Sequence, residues 1–377
     1  MNESKATRYQ RLRRRAQATA SLSAVLVLAL VALTPLARWL RDVAAGLAAP
    51  LSPTLHVIVT FSVFILFVML LWEAASFPSM VYAAVHVRSS KGQPVPTLGE
   101  ILGAQVRSSL IALPIVLVAG AAVPMSVWLA GEAWWVLCGL TFGVALGCGV
   151  GIGPWLMSRL GTMRPMSRPS LVEALNRLAV RVRVPVSGID EWVTAEGSGT
   201  SALVTGVGRT RRVLVSSELV RQYSDEEIAV VVAHELAHHA YHDLWRSLAL
   251  NVIVLLVALG LADGTLQLLG PLLGLQGPSD LAALPYLGLL TSLVWVASTP
   301  LRHAQSRRHE RRADVFALGM TGEVDAFRSA LRRLSARHLA EERPSRMTRW
   351  LYHHHPSVAE RLAVADAYSR VRNASRS

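Results

Sequence analysis

Long unbroken apolar runs joined by short polar connections fill the first half of the chain, and two more follow a polar insert. Runs near the ~20 residues that cross a hydrocarbon core lie at 21–40, 54–77, 108–130, 134–157, 244–262 and 281–301, which predicts six membrane-spanning helices. The first run has the basic flank of a signal peptide and an Ala-rich stretch at 44–50. Five further runs follow it, so it reads as a start-transfer anchor. The insert, 158–243, has a different pattern. Leu171, Val172, Ala174, Leu175, Leu178 and Ala179 recur with a helical period over 170–182, with Ser170 as cap. The stretch 188–193 looks extended, and 201–206 and 212–216 flank a Gly/Thr turn that predicts a β-hairpin. A long helix is expected over 223–242, with Ser224 and Glu227 forming a capping box. Four segments result: 1–157 with four spans, the insert 158–243, two spans in 244–301, and the polar segment 302–377.

Composition agrees with this division. The 377 residues are 52% hydrophobic and only 17% charged, with a mean hydropathy of +0.38, which excludes a soluble globular enzyme. The two cysteines, Cys138 and Cys148, share one run and would stand about 15 Å apart along a helix, which excludes a disulfide scaffold. The net charge of +13 comes from arginines beside the apolar runs, the placement of the positive-inside rule, and no basic motif interleaved with aromatics points to nucleic acid. Lys5, Arg8, Arg11, Arg13, Arg14 and Arg15 against Glu3 put the N-terminus in the cytoplasm. The loop 86–107, the insert and the C-terminal segment follow it there, while Asp263 to Asp280 face outward. The Arg-heavy, Ala-rich composition suggests a prokaryotic plasma membrane. Nothing in the sequence specifies an oligomeric state.

Chemistry concentrates in His234-Glu235-Leu236-Ala237-His238. Two histidines at i and i+4 share a helix face and can grip one metal ion, while Glu235 beside them can take a proton from water. A catalytic zinc site needs a third protein ligand and an open fourth position. Downstream, Arg307 to Asp314 form a helical pattern in which Glu310 can reach such a metal, and Asp314, one turn on, can orient a ligand histidine. Two blander readings stand beside these: solvated histidines on a polar helix face, and a charged helix laced with i,i+4 pairs. His242 could replace Glu310, although ligands at i, i+4 and i+8 would spread over about 12 Å of helix axis. His239, His303, His309, His353 and His354 also lie in polar segments nearby.

Together these residues resemble the integral-membrane zinc metallopeptidases that include the type I CAAX prenyl proteases and the bacterial heat-shock protease HtpX. Glu73, Phe77, Pro78 and Tyr82 resemble the prenyl proteases' E-x-x-x-F-P-x-x-x-Y pattern. Ile152-Gly153-Pro154 resembles their entry into the soluble domain, and 201–216 the hairpin before the zinc helix. His355-Pro356 with Glu360-Arg361 resembles the C-terminal H-P…E-R motif. The resemblance implies a mainly α, multi-span membrane protein with a cytoplasmic α+β peptidase insert. It also implies one zinc ion per chain on His234, His238 and Glu310, Glu235 as general base, Asp314 behind a ligand, and His355 and Arg361 stabilising the oxyanion or substrate backbone. Two departures are visible: Ser201 stands before Ala202 where the family usually has Asn, and six runs are counted where the eukaryotic prenyl proteases have seven spans around a large chamber.

The expected function is hydrolysis of peptide bonds in membrane-associated polypeptides. The substrate is expected to pair with the edge strand at Ser201, Ala202, Leu203 and Val204. The rival reading is a membrane scaffold or transporter subunit with a structural metal site. Such sites are usually closed by four ligands and rich in Cys, whereas this one has three and no cysteine nearby.

Overall fold

The computed structural model describes residues 5–159, 163–193, 201–337, 339, 341 and 344–375. Helix α1 (Lys5–Leu33) stops at Thr34-Pro35, and α2 (Leu36–Ala48) follows. Proline lacks the amide that would continue α1 and disfavours helical geometry at Thr34, so the first apolar run, 21–40, is divided between two helices. α3 (Pro53–Tyr82) runs past residue 77 into a π-helical turn, Ala83–Val87, and a single-turn α4 (Arg88–Lys91). α5 (Leu98–Ala130) starts ten residues before the expected 108, because Thr97 and Glu100 form a capping box there. A 3-10 turn at Gly131–Ala133 leads into α6 (Trp134–Arg159).

The insert contributes β1 (Met163–Pro165), α7 (Pro169–Val182), β2 (Gly188–Trp192), β3 (Ala202–Thr205), β4 (Arg212–Ser216), α8 (Ser217–Gln222) and α9 (Asp225–Ala240). The chain ends with α10 (Asp243–Leu273), α11 (Leu284–Ala297), α12 (Thr299–Thr321), α13 (Val324–Arg337), α14 (Arg346–Tyr352) and α15 (Val358–Ala374).

By length and apolarity four described helical stretches suit a membrane crossing, or five if Leu281–Ala297 and α12, bent by 45°, form one broken span. One of the four, Leu98–Gly149, contains both α5 and α6, and the turn at Gly131 divides it. At 1.5 Å per residue each of these helices exceeds the ~30 Å core on its own.

The chain forms two compact units, residues 1–142 with 252–298 and residues 143–251 with 299–377. In the first unit, small residues let helices approach closely: Ala37, Ala44, Ala262 and Ala282 are buried with Val31, Phe64, Cys138 and Tyr286. The Trp134 indole donates to Asp263 at 2.8 Å, satisfying the one polar atom of a buried ring. Leu110, Ile115, Val118, Trp128 and Leu272 point outward, 66–82% exposed. A helix apolar on its outer face as well as its inner one is at home in lipid.

The second unit carries a four-stranded sheet of order β1-β2-β4-β3. β2 and β4 are parallel, and β3 and β4 form the expected antiparallel hairpin, with Ala202 opposite Val215 and Thr205 opposite Arg212. Gly206, at φ +93°, enters its turn where a Cβ would stand 2.6 Å from the Thr210 carbonyl, so only glycine fits. α7 begins before Ser170: Arg168 is the cap, and Pro169 supplies a first-turn residue whose missing amide costs nothing. α9 is shorter than 223–242, because His242 takes a left-handed φ of +58° that ends the helix. Its start is as expected: Ser224 Oγ accepts from the Glu227 amide at 3.2 Å, and Glu227 accepts from Ser224 N–H at 2.9 Å. Ile228, Val232, Ala233 and Leu236 bury one face of α9 against Leu171, Leu175, Val213, Val215 and Ala317.

Candidate metal centre

α9 presents His234 and His238 one turn apart, and α12 presents Glu310 to them. His234 Nε2 lies 3.4 Å from Glu310 Oε2, and His238 Nε2 lies 3.6 Å from Glu310 Oε1. Candidate ligand atoms of the three residues all fall within 4.8 Å of one another. Two ligands each ~2.0–2.1 Å from a tetrahedral zinc ion are ~3.3–3.4 Å apart, so the spacing and the N2O donor set fit zinc.

Each histidine is turned toward this point by a partner on its other nitrogen. His234 Nδ1 donates to Asp314 Oδ1 at 3.0 Å, and His238 Nδ1 donates to Asp243 Oδ2 at 3.0 Å. Both carboxylates are buried and each meets an arginine: Arg361 grips Asp314 through two bonds of 2.8 and 2.6 Å, and Arg312 pairs with Asp243. The spot attracts positive charge. Burial disfavours a charged His234, yet Asp314 and Glu310 outweigh it and lift its pKa to about 9. Burial likewise opposes ionisation of Glu310 and Asp314, but neighbouring His234, with His355 for Glu310 and Arg361 for Asp314, holds both below the usual carboxylate range. A divalent cation suits the same position.

Glu235 lies beside the histidines, and burial raises its carboxyl above the ordinary value against the opposing pull of His234 and His238. It lines a cavity of about 540 Å³ together with His234, His238 and Glu310. Val231, Phe327, Leu331, Leu334 and Val358 form that cavity's apolar wall. Ser201, just before β3, and Ala202 at its start reach it, whereas Val204 borders a second cavity of about 490 Å³ on the other flank of Glu235 and His238, and Leu203 pairs with Leu214 of β4. His355, half exposed in the turn before α15, places Nδ1 2.8 Å from Glu310 Oε2. Arg361 also lines the first cavity while bound to Asp314.

His242 turns away, with Nδ1 near its own Ala240 carbonyl, and His309 lies beside Asp243 at 3.6 Å. Asp243 and Arg312 are the members that sequence reasoning missed. The available signal was an aspartate five residues after the second histidine, directly beyond the helix end.

Comparison with known proteins agrees with this geometry. Residues 165–369 match the profile of peptidase family M48, and residues 2–152 match the CAAX prenyl protease N-terminal region, described as five membrane helices. An uncharacterized metalloprotease YhfN of Bacillus subtilis (strain 168) is 28% identical over 207 residues, 54% of this chain and 49% of that relative, so the match spans about half its length. Protease HtpX of Xanthomonas axonopodis pv. citri (strain 306) is 28% identical over 219 residues, 53% of this chain and 72% of the relative. In fold, the chain is similar to the crystal structure of S. mikatae Ste24p, with a TM-score of 0.77 at 18% identity, over 96% of this chain and 88% of that one.

Proposed function

The chain belongs to peptidase family M48 and is a membrane-embedded metalloprotease, and from that premise we propose that it is a zinc endopeptidase acting on membrane-associated polypeptides. The observation that carries this reading is the open centre: His234, His238 and Glu310 converge with Glu235 at the rim of a cavity. Those three residues would hold zinc, whose chemistry is to polarise the scissile carbonyl and acidify water to a pKa near 7.

The remaining work falls to the chain. Glu235, with its affinity for a proton raised by burial, takes the proton from the attacking water and delivers it to the leaving amine. Asp314 and Asp243 keep both imidazoles in the tautomer that leaves Nε2 free. The carbonyl oxygen gathers negative charge during attack, and His355 at the cavity mouth is the donor best placed to stabilise it. Arg361 acts through Asp314, to which it is bound. Substrate main chain lies along β3, whose outer edge has no strand partner among the described residues.

The apolar wall and the membrane helices support membrane-associated substrates. The arginine distribution supports a prokaryotic plasma membrane with N-terminus and site in the cytoplasm, and the segments 1–157, 158–243, 244–301 and 302–377 as membrane, peptidase, membrane and C-terminal parts. Glu235→Gln tests the reading. The variant should keep about one zinc per chain by elemental analysis and lose ~10²- to 10⁴-fold in turnover. Retained turnover would overturn it.

A further inference from the structure

Among the described residues, the edge of β3 is open along only part of its length. Ser216 N–H donates to the Ser201 carbonyl at 2.9 Å, so Ser201 faces β4. In an antiparallel pair the main-chain groups of successive residues alternate between partner and outside. Ala202 and Val204 therefore direct their N–H and C=O groups to the outer edge. At Val204 that edge is occupied: His239 Nε2 lies 3.0 Å from the Val204 carbonyl, where it donates a hydrogen bond. A further strand would lie about 4.8 Å from β3, and the His239 ring stands in that space. Ala202 borders the first cavity with no such plug among the described residues, while Val204, Thr205, Gly206 and His239 together border the second.

We propose that His239 is a positioning residue that makes substrate pairing one-sided. An extended peptide pairs its main chain with Ala202 on one flank of the metal centre. It must then leave the strand edge at Val204 and enter the second cavity without ladder bonds. Recognition would depend on an extended, hydrogen-bonding backbone on the Ala202 flank and tolerate bent or N-substituted backbone on the other. The inference rests on the peptidase reading and on use of the β3 edge. Removing the ring would expose the Val204 carbonyl and lengthen the pairing edge, while Gln at 239 keeps a side-chain donor within reach of it.

The test is a backbone N-methyl scan. A fluorescent peptide that the wild-type enzyme cleaves is prepared with single N-methyl groups at each position within three residues of the cleaved bond. Affinity is measured by anisotropy on Glu235→Gln protein, so that the readout does not need turnover, with His239 intact, changed to Ala, or changed to Gln. With His239, N-methylation on one flank should weaken binding about 2- to 10-fold, the worth of one hydrogen bond, and leave the other flank within about twofold. His239→Ala should make a position on the second flank equally sensitive, and His239→Gln should restore the one-sided profile. A scan that is two-sided with His239 present, or identical in His239→Ala, overturns the inference while leaving the peptidase reading intact. If the zinc-loaded wild type cleaves no peptide faster than Glu235→Gln does, the peptidase reading itself fails.

Discussion

Asp243→Ala is the perturbation that most directly tests how the metal centre is built. The Asp243 carboxylate holds His238 Nδ1 at 3.0 Å and so keeps Nε2 turned toward Glu310. Without it the ring can rotate and change tautomer, and losing an outer partner of this kind weakens metal binding about 10- to 100-fold, about 1.4–2.7 kcal/mol. The fold should survive. Arg312, left without its carboxylate, has a side chain 32% exposed and stacks over Tyr241 at 4.2 Å, so water can replace the lost partner. The matching change at Asp314 is less clean, because that carboxylate is fully buried and the guanidinium of Arg361 would be stranded beside it, a loss of ~3–5 kcal/mol. In detergent-solubilised protein, competition with a chromogenic chelator gives the zinc affinity, and thermal unfolding without zinc reports the fold. Asp243→Asn keeps an acceptor for His238 and should lose less than about 10-fold. An Asp243→Ala protein that unfolds like wild type and binds zinc within about twofold of it would refute the argument.

Three further outcomes follow from the same geometry. His355→Ala should lower kcat ~10²- to 10³-fold with zinc content and KM little changed, because charge stabilisation strengthens only in the transition state; a fall in zinc affinity instead would make His355 a brace for Glu310. Burial alone would raise the Glu227 carboxyl, but the Ser329 hydroxyl, the Ser224 amide and Arg333 outweigh it and hold it below the usual 4.5. Its contribution to stability is therefore complete above that value and lost as pH falls below it, so the melting temperature should drop more steeply between about pH 5 and 3 in wild type than in Glu227→Gln. Single cysteines, in a background without Cys138 and Cys148, should be labelled by an impermeant reagent in intact cells at Ser279 and not at Arg209, both exposed positions; the reverse would overturn the charge-based orientation.

What the sequence disclosed was what local physics determines. The apolar runs are helical, the first divided between α1 and α2 and the last between α11 and α12, Ser224 and Glu227 cap α9 as their spacing requires, and the Gly/Thr turn closes the β3–β4 hairpin. The i,i+4 spacing of His234 and His238 by itself put two donors on one face. Boundaries were harder to read, because one proline in a 20-residue apolar run, or one residue with positive φ, overrides the periodicity around it. Thr34-Pro35 and His242 are those cases.

The surroundings of the candidate ligands were hidden for a different reason: they arise from packing between distant elements. Arg312 meets Asp243 from 69 residues away, and Arg361 meets Asp314 from 47. Together they build the same motif twice, a candidate ligand imidazole backed by an aspartate that is in turn faced by an arginine, His234-Asp314-Arg361 and His238-Asp243-Arg312. The repetition has a physical cause. A buried aspartate is a strong acceptor for an Nδ1 proton but costly to desolvate, and an arginine at its back offsets that cost without competing for the imidazole Nε2. These two triads draw on α9, α10, α12 and α15, so orienting both histidines requires segments on either side of the fifth and sixth apolar runs to fold together. The helix α9 alone supplies spacing; the C-terminal segment supplies the third candidate ligand, Glu310, and most of the orientation.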